Sequence, residues 1–238
     1  MHQIAHQLRE PGKFARFLNI VRGADGFIAS TRHVADLIRA VRPDPIAFIP
    51  IPCPVDDEDW NWAADNRAGI FVGTREFDVP SRNHLAAMLA AKELSEATKE
   101  PVTVFNLDRR RGARLIAQMG FRKIRVHDKR VGYRAYLGEV ARHKIIFQLD
   151  RSRVPGQVAG DALLCRSVCV GGDGATDCIA FPETCGEHRG TEELVEIARR
   201  LLSNDAERRA IAARANSIAL EKLSFRAAQE KLAAFFSR

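Results

Sequence analysis

Short apolar runs alternate with stretches of helical spacing along most of this chain. The runs are Gly26–Ser30, Ile46–Ile49, Gly69–Val72, Val102–Asn106, Lys123–His127, Lys144–Leu149 and Val168–Gly171. Most are continuously apolar rather than alternating. Strands buried on both faces read that way, as in a parallel sheet covered by helices. Helical spacing is predicted over Thr31–Val41, Ser81–Thr98, Arg109–Met119, Tyr133–Arg142 and Pro155–Cys165. In the second of these, Leu85, Met88, Leu89, Lys92 and Leu94 set the period, and Gly120 is placed to end the third. Three more helices follow the last strand, over Thr191–Ser203, Asp205–Leu223 and Ser224–Phe236. The alternation predicts an α/β fold, a Rossmann-like parallel sheet with helices on both faces and right-handed crossovers.

The length of 238 residues suits one large domain or two small ones. Pro50–Asn66, with three prolines, two tryptophans and the acidic run Asp56–Asp59, reads as a linker or interface loop. No apolar run is long enough to span a bilayer. Met1–Glu10 is polar and lacks the apolar core of a signal peptide. Five cysteines, an odd number in a chain of this size, suit a reducing, cytoplasmic setting.

Charge is unevenly placed. The chain carries a net +7, and Arg109–Arg134 holds ten Lys/Arg against the single acid Asp128. Such a patch attracts nucleic acid, an anionic membrane surface or phosphorylated ligands, or is simply a solvated face. The stretch is poor in aromatic residues for stacking and has no known nucleic-acid reader motif.

Two loops carry candidate chemistry. After the strand ending at Leu149, Pro155-Gly156 opens a helix, so the amides of Gly156, Gln157 and Val158 are set to face an anion. After the strand ending at Val72, Arg75 and Arg82 flank a loop at the sheet's C-terminal edge, where ligands of open α/β sheets bind. Two such cations can neutralise a diphosphate. The loop Gly171–Gly174 follows a late strand and reads as a turn. No P-loop, no G-x-G-x-x-G after a strand and no G-x-S-x-G elbow occurs. Cys165, Cys169, Cys178, Cys185 and His188 lack a CxxC knuckle, so no metal is expected.

The order of pieces resembles the retaining GT-B glycosyltransferases of the group 1, family 4-like kind. ADGFIASTRHVADLI (Ala24–Ile38) is similar to their strand–serine–helix segment at the domain junction, and IAFIPIPCPVD (Ile46–Asp56) to the turn that follows. GIFVGTRE (Gly69–Glu76) resembles their phosphate loop, DALLCRSVCVGG (Asp161–Gly172) a helix–strand segment, and Glu193–Ala215 the helices that close the domain. The resemblance runs from Ala24 onward and implies the C-terminal, nucleotide-sugar-binding half of such an enzyme. Residues 1–23 are then a terminal helix remnant of a preceding domain or an N-terminal extension, and 24–238 the binding domain with its C-terminal helices.

The resemblance also implies roles. Arg75 and Arg82 bind the diphosphate, and Gly156 and Gln157 add backbone amides. Asp161, in place of a glutamate, holds the ribose, while the base packs near His127–Tyr133 with Tyr133 stacking on it. The ligand is a nucleotide-sugar donor used as substrate, with no other cofactor. Departures stand beside these matches. Arg153 replaces the other glutamate, Arg166 an expected glycine and Cys53 an asparagine. Of an acceptor-binding first half, the sequence offers only a final helix near Pro11–Arg22. The catalytic residue is therefore unassigned. The chain is left as a transferase domain paired with an N-terminal half in the same or another chain, as an inactive nucleotide- or partner-binding domain, or as a basic nucleic-acid-binding protein.

Overall fold

A computed structural model describes residues 10–43 and 45–237. The reading of the N-terminal segment lies outside these residues apart from Glu10. All seven expected strands form, each trimmed at its ends: β1 (Phe27–Ala29), β2 (Ile46–Phe48), β3 (Ile70–Val72), β4 (Val102–Phe105), β5 (Ile124–His127), β6 (Ile145–Phe147) and β7 (Val168–Val170). The helices are α1 (Pro11–Gly23), α2 (Arg32–Arg39), α3 (His84–Thr98), α4 (Arg109–Gln118), α5 (Tyr133–Val140), α6 (Gln157–Leu164), α7 (Ala175–Ala180), α8 (Thr191–Ser203), α9 (Asp205–Lys222) and α10 (Phe225–Phe236).

The strands form two parallel sheets. β3 to β7 make a five-stranded sheet in the order β5-β4-β3-β6-β7. Its strands β3, β4, β6 and β7 are buried at every position, while the edge strand β5 is not. Moving from β3 through β4 to β5 runs one way along the sheet, and β6 to β7 runs the other. Right-handed crossovers therefore put α3 and α4 on one face and α5 and α6 on the opposite face. α8 joins α3, and α9 closes the β7 side.

Among the described residues, β1 and β2 pair only with each other. They share a small core, Val21, Ala29, Ala35, Ile38 and Ile46, with α1 and α2. The junction at Gly23/Ala24 runs through this core, since Val21 lies on one side and the rest on the other. The unit meets the main body through an Arg153–His33 side-chain contact of 3.2 Å.

Helix boundaries follow local chemistry. Thr31 caps α2 by accepting the Val34 N–H, and Ser224 caps α10 by accepting the Ala227 N–H. α3 starts later than its spacing suggests. A 3₁₀ turn, Pro80–Arg82, and a left-handed Asn83 (φ 47°) precede it. Its buried face is His84, Ala87, Met88, Ala91 and Leu94, whereas Leu85 and Leu89 are half exposed. Gly171–Gly174 is a non-helical turn, as expected, and it leads into the short helix α7, which the sequence pattern does not predict.

Candidate functional site

The strand order reverses between β3 and β6, and at such a point the loops leaving two adjacent parallel strands diverge and open a crevice. The loop after β3 holds Arg75 and Arg82, and the loop after β6 leads to Gly156. Hydrogen bonds stitch the two loops together: Gly73 N–H to the Phe147 carbonyl at 2.9 Å and Arg151 N–H to the Ser81 carbonyl at 2.7 Å. Asn83 Nδ2 adds a bond to the Leu149 carbonyl at 3.0 Å. Gly73 is required here. A Cβ on it would lie 2.3 Å from Val158 Cγ1, at the start of α6.

The crevice is a cavity of about 500 Å³. All six sequence-derived site residues, Arg75, Arg82, Tyr133, Gly156, Gln157 and Asp161, line it. A smaller cavity of about 280 Å³ adjoins it, sharing Arg75, Tyr133 and Gln157 and adding Phe105, Val131 and Tyr136. α6 begins at Gln157 rather than Pro155. Gly156 is its N-cap in the left-handed region (φ 95°), and no side chain caps the helix. The first amides of α6 thus lack an intrahelical acceptor, and Gly156, Gln157 and Val158 line the cavity. Pro155 instead turns its carbonyl to Thr176, accepting both its N–H (2.9 Å) and its hydroxyl (2.8 Å).

Other assignments meet more complicated surroundings. Arg82 Nε stands 3.5 Å from Asp150 Oδ2, so a buried carboxylate orients this guanidinium. Arg75 lies over the Tyr136 ring, 5.2 Å from its centroid. Asp161 is 1% exposed. Its Oδ1 accepts the Tyr133 hydroxyl at 2.6 Å, while Oδ2 has no partner. Burial pushes the Asp161 carboxyl up to about 6, against the opposing pulls of the Tyr133 hydroxyl first, then the nearby Tyr136 hydroxyl and the Arg75 charge. Tyr133, 41% exposed, stacks near-parallel on Tyr136 at 6.2 Å and packs obliquely on Trp60 at 5.7 Å. The ring expected to stack on a base is thus already engaged by its own neighbours.

Arg153 and Arg166 are exposed to different constraints. Both hold left-handed backbone, φ 48° and 50°. At Arg166 this is the conformation that a glycine would take, and its guanidinium reaches the Val55 carbonyl (3.3 Å) and Asn216. Arg153 points away toward Asp173 and His33 and does not line the cavity.

Several lining residues were not anticipated: Cys53, Gln148, Asp150, Thr176 and Asp177. Asp177 is fully enclosed, and Gln148 Nε2 donates to its Oδ1 at 2.7 Å. Burial raises its carboxyl well above the ordinary range, and the nearby Asp150 adds to this. Cys53 sits in the proline-rich loop, where burial, then Asp161, pushes its thiol up to about 11. The sequence marks this loop as a linker or interface loop and Cys53 as a departure from an asparagine, and neither reading places it at the cavity. Among the described residues, no group of three or more His, Cys, Asp or Glu is placed to hold a metal ion. No described helix is long and apolar enough to cross a membrane.

No family model and no curated protein matches this sequence. Solved structures do. TarM from S. aureus, in complex with fondaparinux, α-GlcNAc-glycerol and UDP, superposes with a TM-score of 0.72 at 14% identity, over 95% of this chain and 47% of that one. A glycosyltransferase from Rickettsia africae gives 0.70 at 17% identity, over 96% and 67%. The pneumococcal O-GlcNAc transferase GtfA, with UDP and GlcNAc, gives 0.61 at 12%, over 95% and 47%. The fold is the GT-B-like Rossmann fold. This chain spans about half to two thirds of these proteins. In this GT-B-like fold the cavity occupies the switch point of the five-stranded sheet, between the loops after β3 and β6.

Proposed function

We propose that this chain is the donor-binding half of a GT-B-type glycosyltransferase, of the group 1, family 4-like kind, and that it binds a nucleotide diphospho-sugar. One observation carries the proposal. At the switch point, two arginines and an uncapped helix N-terminus converge on one cavity. Arg75 and Arg82 take the diphosphate charge, and the amides at Gly156 and Gln157 take its oxygens. Asp161 accepts the ribose hydroxyls once Tyr133 releases it. The base enters the adjoining cavity beside Phe105 and Tyr136. UDP in two of the structural neighbours makes UDP the first nucleotide to test.

Transfer needs a second, acceptor-binding half, which this reading places against the small β1–β2 unit. Ile28, at 42% exposure, and Ile20, at 57%, offer apolar surface there. The divided core supports assigning residues up to Ile49 to that side rather than a break at Gly23. A second reading, a polyanionic partner such as an anionic membrane or nucleic acid, is favoured by one observation: all ten cations of Arg109–Arg134 are exposed.

Thermal-shift measurements with UDP, GDP and ADP, with and without sugars, test the main reading. Stabilisation by at least one is expected, and Arg75→Ala and Asp161→Ala should each weaken it. Unchanged affinity in both variants moves the site elsewhere. Salt-sensitive retention on random DNA or on anionic vesicles, without any nucleotide response, favours the second reading.

A further inference from the structure

A second large cavity opens at the opposite, N-terminal edge of the five-stranded sheet. It measures about 670 Å³ and is bounded by the residues that lead into β3, β6 and β7 and by the first turns of α9. Five cations line it, Arg67, Lys144, Arg166, Arg208 and Arg209, against two acids, Asp65 and Asp205. The alternation of strands and helices gathers them. Arg67 and Lys144 precede β3 and β6, Arg166 lies between α6 and β7, and Arg208 and Arg209 lie near the start of α9. Ligands of open α/β sheets ordinarily bind at the other edge, and this cavity shares no lining residue with the candidate site. α6 separates the two. Its first residues line the candidate site, and its C-cap Cys165 meets Arg67 about 12 Å further along the helix axis.

Internal partners leave the charge unbalanced. Lys144 pairs with Glu100 at 2.7 Å and Arg208 with Asp205 at 2.8 Å. Arg67 and Arg166 bond to neutral groups instead. Arg67 donates from Nε to the Ala64 carbonyl at 3.0 Å and from Nη2 to the Cys165 carbonyl at 2.6 Å. Arg166 donates to the Val55 carbonyl at 3.3 Å and to the Asn216 side chain. Among the described residues, no carboxylate pairs with Arg67, Arg166 or Arg209. Helix ends compensate in part. α6 and α8 finish here, with Arg67 on Cys165 and Arg208 on the Leu201 carbonyl at 3.1 Å. Each such end carries about half a negative charge and the start of α9 about half a positive one, so an excess of about one to two positive charges remains. Arg208 is 7% exposed, and Arg67, Lys144 and Arg166 are half-buried. Burial first, then the nearby Arg208 charge, holds the Arg67 guanidinium below its ordinary range, against opposing pulls from Cys165 and Asp65. It still stays protonated at neutral pH. Gathering partly desolvated like charges costs free energy, and an anion between them offsets that cost.

We propose that this cavity is a second ligand site, which takes a compact polyanion of the phosphate class: a free phosphate or pyrophosphate, or the phosphate ester of a small molecule. Guanidinium forks match phosphate oxygens bidentately, and one phosphate accepts from several forks at once. A lone carboxylate serves one fork and carries one charge. The volume falls within the roughly 300–1,000 Å³ of small-molecule sites and leaves room for the organic part of an ester. Arg166 stands where the resemblance implies a glycine, so the family likeness does not account for that cation.

The test titrates the whole protein with pyrophosphate, glycerol 3-phosphate and citrate in a calorimeter. It uses the Arg75→Ala/Arg82→Ala variant, which removes the cations of the candidate site, so binding there is not mistaken for binding here. That variant should still take up one pyrophosphate or one glycerol 3-phosphate per chain. Tighter binding of pyrophosphate identifies the free anion as the ligand and the reverse order an ester, and either order supports the site. Adding Arg209→Glu, on an exposed side chain, should weaken that binding by at least about tenfold, because the charge beside the ligand changes by two. Adding Arg166→Gly should weaken it as well, and glycine suits the φ of 50° at that position. Citrate binding as tightly as both phosphates, no phosphate uptake in the double variant, or unchanged affinity on adding Arg209→Glu would each overturn the proposal. So would an equal loss of UDP affinity when Arg209→Glu is made in the otherwise wild-type chain, since both ligands would then share one site.

Discussion

Asp161→Asn should gain stability relative to the wild type as pH rises from acid to neutral, by an amount set by the Asp161 titration. Burial lifts the Asp161 carboxyl from 3.8 to about 6. Below the lower value it is protonated in both folded and unfolded chains, so it contributes no pH dependence. Between the two values the folded protein keeps a proton that the unfolded chain has released. Stability must then fall as pH rises through this window, and the full cost is present above it. At 1.36 kcal/mol per pH unit the cost is about 3 kcal/mol, a large share of a typical domain's 5–15 kcal/mol or so. Asparagine cannot ionise and can still accept the Tyr133 hydroxyl bond. Its Nδ2 would sit where Oδ2 already lacks a partner, which costs about 1–3 kcal/mol at every pH. The absolute difference between variant and wild type is thus offset, but its slope is not. Urea unfolding at intervals from pH 4 to 8 measures the difference directly. It should grow in favour of the asparagine variant by about 3 kcal/mol across that range. A flat difference would refute a buried, proton-binding Asp161. The same variant should bind nucleotide more weakly, separating stability from function at one side chain.

Three further outcomes follow from the geometry. Tyr133→Phe removes the strongest of the groups that favour the ionised carboxylate, so Asp161 should titrate above about 6, as read by carbonyl infrared difference spectra; an unchanged midpoint would remove Tyr133 as its partner. Gly156→Ala puts a Cβ 2.6 Å from Asp177 Oδ2 on a φ of 95°. Left-handed strain alone costs about 1–2 kcal/mol, so urea unfolding should show a larger loss, and wild-type stability would contradict the cap geometry. Ser224→Ala deletes the 3.2 Å bond from the Ala227 N–H and should cost about 1 kcal/mol, with circular dichroism melts as the check.

The main sheet was legible because its central strands are short apolar blocks with no polar side to disguise them. Ile70–Val72, Ile145–Phe147 and Val168–Val170 are buried at each position. The same property hid the second sheet. Phe27–Ala29 and Ile46–Phe48 look alike in composition, and a three-residue run does not record its partner. In α3 the leucines misled. Close packing against β3, β4 and α8 selects Ala87 and Ala91 for the buried face and leaves Leu85 and Leu89 outward. Arg75, Arg82, Gly156, Gln157 and Asp161 could be placed near the sheet's C-terminal edge because they lie in the loops and the helix that follow β3 and β6, and they line one cavity. Asp150 and Asp177 could not, because only the surrounding burial distinguishes them from any loop carboxylate. The left-handed Gly156 also moved the start of α6 two residues past the proline that seemed to open it.

What the structure adds to those segments is a concentration of unfavourable features at one place. Asp150, Asp161 and Asp177 are buried carboxyls, and all three line the same cavity. Asn83, Arg153, Gly156, Gly171 and Gly172 hold positive φ in the loops around it. α6 starts there without a side-chain cap. Each feature alone has a local explanation, such as the Asp150–Arg82 pair or the Gln148–Asp177 bond. Spread at random over the chain, they would be ordinary imperfections. Folding gains nothing from gathering them where the strand order reverses, and a polar ligand with negative charge and hydroxyl groups would satisfy several together. Arg75, Arg82 and the α6 amides supply the positive side, and Asp161 supplies an acceptor. That combination is what ties the nucleotide-sugar proposal to this cavity rather than to the basic surface at the β5 edge, where all ten cations are exposed.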